Sequence, residues 1–231
     1  MQGDGFDEFL ADYNPADYER TQREPVLDPR RKGRFTASEI HKLLSNGRKK
    51  DTMGQYAKTY IEEVACAALT GERKSFFRTA AMQWGIDHEL EGIAEAEKVL
   101  GICFENTGDN QKFIISPCDN YGGTPDGIIH GVAGIDVKCP ETKTHLRYRG
   151  LANAEDLKAV APEYYWQIQC LLSLSGVSLW YFCSYDPRLP RADFRLHLLR
   201  VEPNEADIAA MKERIYAANE IKNRIIETGI I

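Results

Sequence analysis

No stretch of the chain approaches the ~20 consecutive apolar residues that a membrane helix needs, so no segment is expected to span a bilayer. The first residues, Met1-Gln2-Gly3-Asp4-Gly5, lack both the basic start and the apolar run of a signal peptide. The six cysteines (Cys66, Cys103, Cys118, Cys139, Cys170 and Cys183) include no Cys-x-x-Cys pair. Neither a zinc site nor a disulfide framework is therefore indicated. Four of the cysteines sit in apolar surroundings, as reduced cytosolic thiols acting as small hydrophobes do. His41, His88, His130, His145 and His197 have no ligand spacing and receive no role. Repeats and low-complexity segments are absent too. Positive charge is short: the formal net charge is -6, which argues against a protein that coats DNA indiscriminately, because neutralising phosphates needs basic surface. A local basic channel is still open. Basic residues gather at Arg30, Arg31, Lys32 and Arg34, at Arg48, Lys49 and Lys50, and at Lys143, Arg147 and Arg149. Each cluster alone also fits a solvated face.

What is present suffices for one good core: 231 residues with 43% hydrophobic content. Residues 1–30 are acidic, aromatic and broken by Pro15, Pro25 and Pro29, and read as an irregular arm before a domain at 31–231. Thr36 with Glu39 makes a capping box, and Ile40, Leu43 and Leu44 supply a buried stripe, so a helix is expected from Thr36 to Gly47. Helical periodicity returns over residues 54–70, closing at Gly71, and from Thr79 to Leu100, stopped by Gly101. The period then changes. Short β-rich segments are expected at Lys112–Ser116, Gly127–His130 and Gly134–Cys139. A helix follows over Pro162–Leu174, then strands at Val177–Tyr185 and Phe194–Val201. The last helix runs from after Pro203 to Thr228, burying Ile208, Met211, Ile215, Ile221 and Ile225. The order predicts one α/β domain with a central mixed sheet flanked by helices.

Asp126 and Asp136 lie symmetrically about Gly131, the natural tip of a hairpin. Strands paired around that glycine would set the two aspartates about 5 Å apart at their β-carbons. Alternation along the second strand puts Asp136 and Lys138 on one face and Ile135, Val137 and Cys139 on the other. Two carboxylates that close repel unless a cation sits between them, and an oxygen-only ligand set favours magnesium or manganese. A plain surface salt bridge from Lys138 to either aspartate fits the same three residues. Glu89 adds a third carboxylate: its helical neighbours Gly85, Ile86, Gly92 and Ile93 make a small, apolar, inward face. A buried carboxylate needs a partner, and either a metal shared with the aspartates or an unrelated lysine or arginine would serve.

The set Glu89, Pro125-Asp126 and Asp136-Val137-Lys138 resembles the PD-(D/E)xK nuclease core. Further blocks occur in order: Phe35-Thr36-Ala37-Ser38-Glu39, Trp84-Gly85, Thr124-Pro125-Asp126-Gly127, Lys138-Cys139-Pro140 and Gln167-Ile168-Gln169. With them residues 31–188 resemble the phage lambda-type exonucleases, the YqaJ or alkaline exonuclease family. Thr124 stands where that family often has serine and Asp136 where it often has glutamate; both keep the functional group.

The resemblance implies a 5′→3′ exonuclease on double-stranded DNA ends, assembled as a ring-shaped homotrimer. It would leave a 3′ single strand for a single-strand annealing protein, in the cytoplasm of a bacterial host and encoded by a phage or prophage. Asp126, Asp136 and the Val137 carbonyl would hold one Mg2+, with Glu89 helping to hold a second, and Mn2+ substituting. Lys138 would orient the attacking water or take its proton, and Gln167 would position the water or the lysine. An interfacial glutamine bonded to backbone is the plainer reading of Gln167. Gln169 reads as packing, and Tyr164-Tyr165-Trp166 as core more than a base-stacking platform. The family match also points to Arg31, Ser38 and Thr124 as a 5′-phosphate pocket beside a helix start, with Arg34 an addition from its position. Two alternatives remain: a restriction- or repair-type endonuclease on the same core, and a non-catalytic DNA-binding protein on that fold.

Overall fold

A computed structural model describes residues 28–47, 52–71 and 79–231. The basic run Arg48, Lys49 and Lys50 and most of the expected N-terminal arm lie outside the described residues. Among the described residues there are seven strands: β1 (Phe35–Thr36), β2 (Ile114–Ile115), β3 (Tyr121–Gly123), β4 (Gly127–Ile129), β5 (Ala133–Lys138), β6 (Trp180–Tyr185) and β7 (Leu196–Val201). The helices are α1 (Gln55–Thr70), α2 (Ala80–Leu100), α3 (Thr142–Tyr148), α4 (Ala154–Val160), α5 (Pro162–Ser175), the single turn α6 (Ala192–Arg195) and α7 (Glu205–Thr228). Helices α1, α2, α5 and α7 end on left-handed glycines, Gly71, Gly101, Gly176 and Gly229.

The strands form two mixed sheets rather than one central sheet. In the larger, ordered β4-β5-β6-β7, β5 and β6 run parallel and the outer pairs antiparallel. The smaller, ordered β1-β3-β2, pairs β1 parallel and β2 antiparallel to β3. The expected hairpin forms in the expected register, with Gly127 opposite Ile135 and Ile129 opposite Ala133. Gly131 turns it with φ +73°, a left-handed conformation that a side chain would strain.

Alternation along β5 and β6 sorts two cores onto the two faces of the larger sheet. Trp180 and Phe182 join the larger core with α1, α5, α7 and the segment 37–44. Ile135, Val137, Tyr181, Cys183 and Tyr185 face the other way, against Ile93 and Ala96 of α2. Helix α2 can lie that close because residue 92 is glycine: a β-carbon there would stand 2.8 Å from Val137 Cγ1.

Several expectations need correction. The segment after Thr36 winds as a 3-10 helix, Ala37–Leu44, and makes no capping box. Thr36 makes no side-chain cap; its N–H donates to the Tyr60 hydroxyl at 2.9 Å, and Glu39 pairs with Lys42 instead of reaching back. Phe194 lies in α6, outside β7. In α7 Ile221 is only partly buried, while Lys222 is buried and donates to the Gly33 carbonyl at 2.9 Å. All six cysteines are free thiols; Cys170 and Cys183 are buried, but Cys66 and Cys103 are exposed. No helix among the described residues is long and apolar enough to cross a membrane.

Candidate active site

The site is built where β4 stops short. The β4–β5 ladder ends at the pair Gly127–Ile135, so among the described residues no strand lies beside the edge of β5 beyond it. Asp126 fills the gap: its Oδ2 accepts the Val137 N–H at 2.7 Å. A strand residue presents its N–H and C=O on the same edge, so the Val137 carbonyl faces the Asp126 side as well. Asp126 lies one residue beyond the last ladder pair, close enough for the charge of Asp136 to act on it.

Asp136 is fully buried. Its Oδ1 accepts the Gln167 amide at 2.7 Å. Its Oδ2 makes no regular hydrogen bond but lies 2.6 Å from Lys138 Nζ. Gln167, on α5, thus reaches a carboxylate rather than backbone. The Lys138 ammonium also sits over the Tyr164 ring, 4.9 Å from its centroid. Tyr165 is buried and Trp166 packs on the core, as the core reading of that run requires. Gln169 is a structural bracket, bonding the Glu202 carbonyl and the Asn204 N–H.

Glu89 comes from α2 on the other side of the sheet, and its Oε1 accepts the Gln111 amide at 2.7 Å. Its inward face is narrower than expected: Gly92 and Ile93 pack inward, but Ile86 is about half exposed, at 52%. Trp84, about one turn earlier, lies tilted against the His88 ring and under the Arg188 guanidinium. Sequence reasoning missed Gln111 and the Lys138–Tyr164 contact. A neutral side chain in an irregular loop carries no periodic signal.

The electrostatics couple the groups. Burial, with the negative charge of Asp136 and Glu89, pushes Asp126 well above the usual carboxylate range, against the pull of Lys138. Burial also raises Glu89; Lys138 opposes this and Asp136 adds to it. Burial alone would lower Lys138, but Asp136 and Asp126 outweigh it and hold the ammonium charged. Among the described residues no trio of His, Cys, Asp or Glu is already closed into a ligand cage. The donor set nevertheless fits a hard divalent cation. Every candidate ligand is oxygen, and three carboxylates against one ammonium leave two negative charges to balance.

The expected phosphate pocket is only partly assembled. Parallel pairing of β1 with β3 sets Thr36 beside Gly122. A β-carbon on Gly123 would stand 2.7 Å from that of Ala37; the exposed Ser38 and the half-buried Thr124 are the residues that follow these two. Arg31 lies over Phe113, 5.7 Å from its centroid, and that ring packs against Gly122. Arg34 does not join them: its guanidinium grips Asp119 through Nε and Nη2. Arg30 is likewise taken by Asp28, and Arg149 by the carbonyls of Asp193, Phe194 and Leu196.

The same fold recurs in known proteins. An alkaline exonuclease from Laribacter hongkongensis superposes with a TM-score of 0.72 at 28% identity, over 85% of this chain and 91% of that one. The structure of that enzyme in complex with dAMP matches equally well, over 86% and 92% of the two chains. A phage-related exonuclease from Haemophilus somnus 129PT shares the fold at 16% identity, with a TM-score of 0.70 over 85% of this chain and 96% of that one. A search of curated proteins returns no match. The fold is that of the PD-(D/E)xK nucleases, and the model of the YqaJ-like viral recombinase domain matches residues 27–178. The chain belongs to the YqaJ-like viral recombinase family, alongside the alkaline exonucleases.

Proposed function

We propose that this protein is a magnesium-dependent exonuclease that degrades one strand of double-stranded DNA from its 5′ end and leaves a 3′ single-stranded tail. Family and fold support a nuclease of recombinase type. The convergence of Asp126, Asp136, Lys138 and Glu89 at the open edge of β5 is the observation that carries the chemistry. Asp126, Asp136 and the Val137 carbonyl would hold one ion and Glu89 would help hold a second, with manganese able to replace magnesium. When bound, such an ion stabilises negative charge on the scissile phosphate and makes water a better nucleophile. Lys138, beside Asp136, would orient the attacking water or take its proton. Gln167 locks the Asp136 carboxylate in one orientation. Arg31, Ser38 and Thr124 receive the 5′-phosphate of the end being digested. Three copies form a ring around the duplex, and the 3′ tail passes to a single-strand annealing protein, in a bacterial cytoplasm during phage or prophage recombination.

The test is time-resolved digestion of linear duplex labelled separately at its 5′ and 3′ ends, beside a covalently closed plasmid. The 5′ label should leave first while the 3′ label persists and the plasmid stays intact. Cutting of the plasmid would identify an endonuclease, and early loss of the 3′ label would reverse the polarity. In the same assay a 5′-phosphorylated duplex should be digested faster than a 5′-hydroxyl one, and Arg31→Ala should erase the ratio. Equal slowing of both substrates by Arg31→Ala would make Arg31 a general backbone contact instead.

A further inference from the structure

The segment from Phe104 to Gln111 joins the two elements that carry carboxylates on opposite sides of the site. At its start the Phe104 N–H donates to Glu97 of α2 at 2.6 Å. Glu105 then pairs with Ile128 of β4 through two backbone bonds, at 2.9 and 3.0 Å. Gly127, next to Asp126, packs against Phe104 and Thr107. Gly108 rests on Leu90, the residue after Glu89. The segment ends at Gln111, whose amide donates to Glu89 Oε1 at 2.7 Å. Gln111 itself is anchored, since its N–H closes the 3-10 turn Gly108–Asn110 on the Gly108 carbonyl.

A glutamate has three side-chain torsions, so its carboxylate wanders unless something holds it. Lysine or arginine would hold it but would also cancel the charge that a cation needs. A neutral amide holds one oxygen and leaves the charge in place. Gln167 does this for Asp136, at the same 2.7 Å.

We propose that Gln111 is a positioning residue that fixes one oxygen of Glu89 so that the other is presented to a divalent cation at the site. The proposal rests on the nuclease reading above and goes beyond it, by naming what sets the affinity for the second ion. Outer partners of ligating carboxylates typically change metal affinity by about 10–100-fold. The loss here should fall on the ion that Glu89 binds and spare the one at Asp126 and Asp136.

The experiment is a Mn2+ titration of the full chain without DNA, with free Mn2+ read by electron paramagnetic resonance. Wild type should show two classes of ion. Gln111→Met keeps the side-chain length and removes the donor, and Gln111→Ala removes both. Each should weaken the second class about tenfold and leave the first class and the melting temperature unchanged. Glu89→Gln should weaken the same class, and adding Gln111→Ala to it should change nothing more. Unchanged binding in both Gln111 variants, equal weakening of both classes, or a single class in wild type would each overturn the proposal. Two classes in wild type with unaffected Gln111 variants would overturn it and spare the nuclease reading; no Mn2+ binding by wild type would sink both.

Discussion

Asp136 shows how a single residue can carry both stability and chemistry. It is fully buried, and its oxygens are divided between Gln167 and Lys138. Removing one partner of a buried ion pair leaves the other uncompensated, typically at about 3–5 kcal/mol. Asp136→Ala would therefore confuse lost folding with lost activity. Asp136→Asn separates them, because the amide keeps the shape and its oxygen still accepts from Gln167. Lys138 then loses its nearest counter-charge, and its ammonium becomes easier to deprotonate. We expect Asp136→Asn to melt cooperatively yet to lose at least about a hundredfold in single-turnover rate, the scale of one lost charge-stabilising group. A cooperative melt with near-normal turnover would remove Asp136 from the chemistry.

Among the elements, α2 has the most exacting position, since it must bring Glu89 over a sheet face whose far side carries Asp136. Gly92 sets that distance. A methyl there would meet Val137 Cγ1 at 2.8 Å and Tyr185 Cβ at 3.2 Å, both on buried residues of the sheet. Overpacking costs about 1–3 kcal/mol, but alanine regains about 1 kcal/mol of helix propensity over glycine. Gly92→Ala should thus lower the melting temperature modestly. The helix must still lift by a few tenths of an ångström one turn from Glu89, and a 1 Å misplacement can cost about a hundredfold in rate. The expected loss is about tenfold; an unchanged rate with a folded protein would show that α2 does not set the site's geometry. Much at this scale was legible beforehand. The hairpin register followed from the symmetry of Asp126 and Asp136 about Gly131, and α1, α2, α5 and α7 lie within a residue or two of their expected limits. The misses have physical reasons. Strand β3, Tyr121-Gly122-Gly123, has no β-branched residue, and its glycines serve close packing instead. Helices α3 and α4 are seven residues each, about two turns, too short for a 3.6-residue period to show. The capping box failed because tertiary contact with Tyr60 took the Thr36 N–H.

Across the whole molecule, the face of the larger sheet that carries Asp136 and Lys138 also carries buried groups that must stay neutral, since Ser184 pairs in register with Lys138. On β6 and β7, Ser184 pairs in register with His197, one residue from the Cys183 core position. His145 of α3 is fully buried beside them. Its Nε2 lies 2.7 Å from the Phe194 carbonyl and so must donate, which leaves Nδ1 to accept from the Ser184 hydroxyl at 2.8 Å. Burial lowers the pKa of His145, Arg149 and Arg188 add to the effect, and the Phe194 bond and Asp186 only partly oppose it. Burial also lowers His197 and His41. A histidine with a depressed folded pKa binds fewer protons in the native chain than in the unfolded one. Its contribution is therefore intact above the unfolded value of about 6.5 and is lost as pH falls from there through the folded pKa. The raised carboxylates Asp126 and Glu89 act with the opposite sign, since they bind protons more readily in the native chain. The total slope mixes both terms, so the test must be a difference. His145→Gln can donate to Phe194 and accept from Ser184 but cannot charge. The drop in melting temperature from pH 7.5 to 5.5 should be smaller in His145→Gln than in wild type, whatever the absolute stabilities, because the carboxylate terms cancel in the comparison. Equal drops would mean that His145 binds its proton in the folded protein as easily as in the unfolded chain, and that its buried bonds do not hold it neutral.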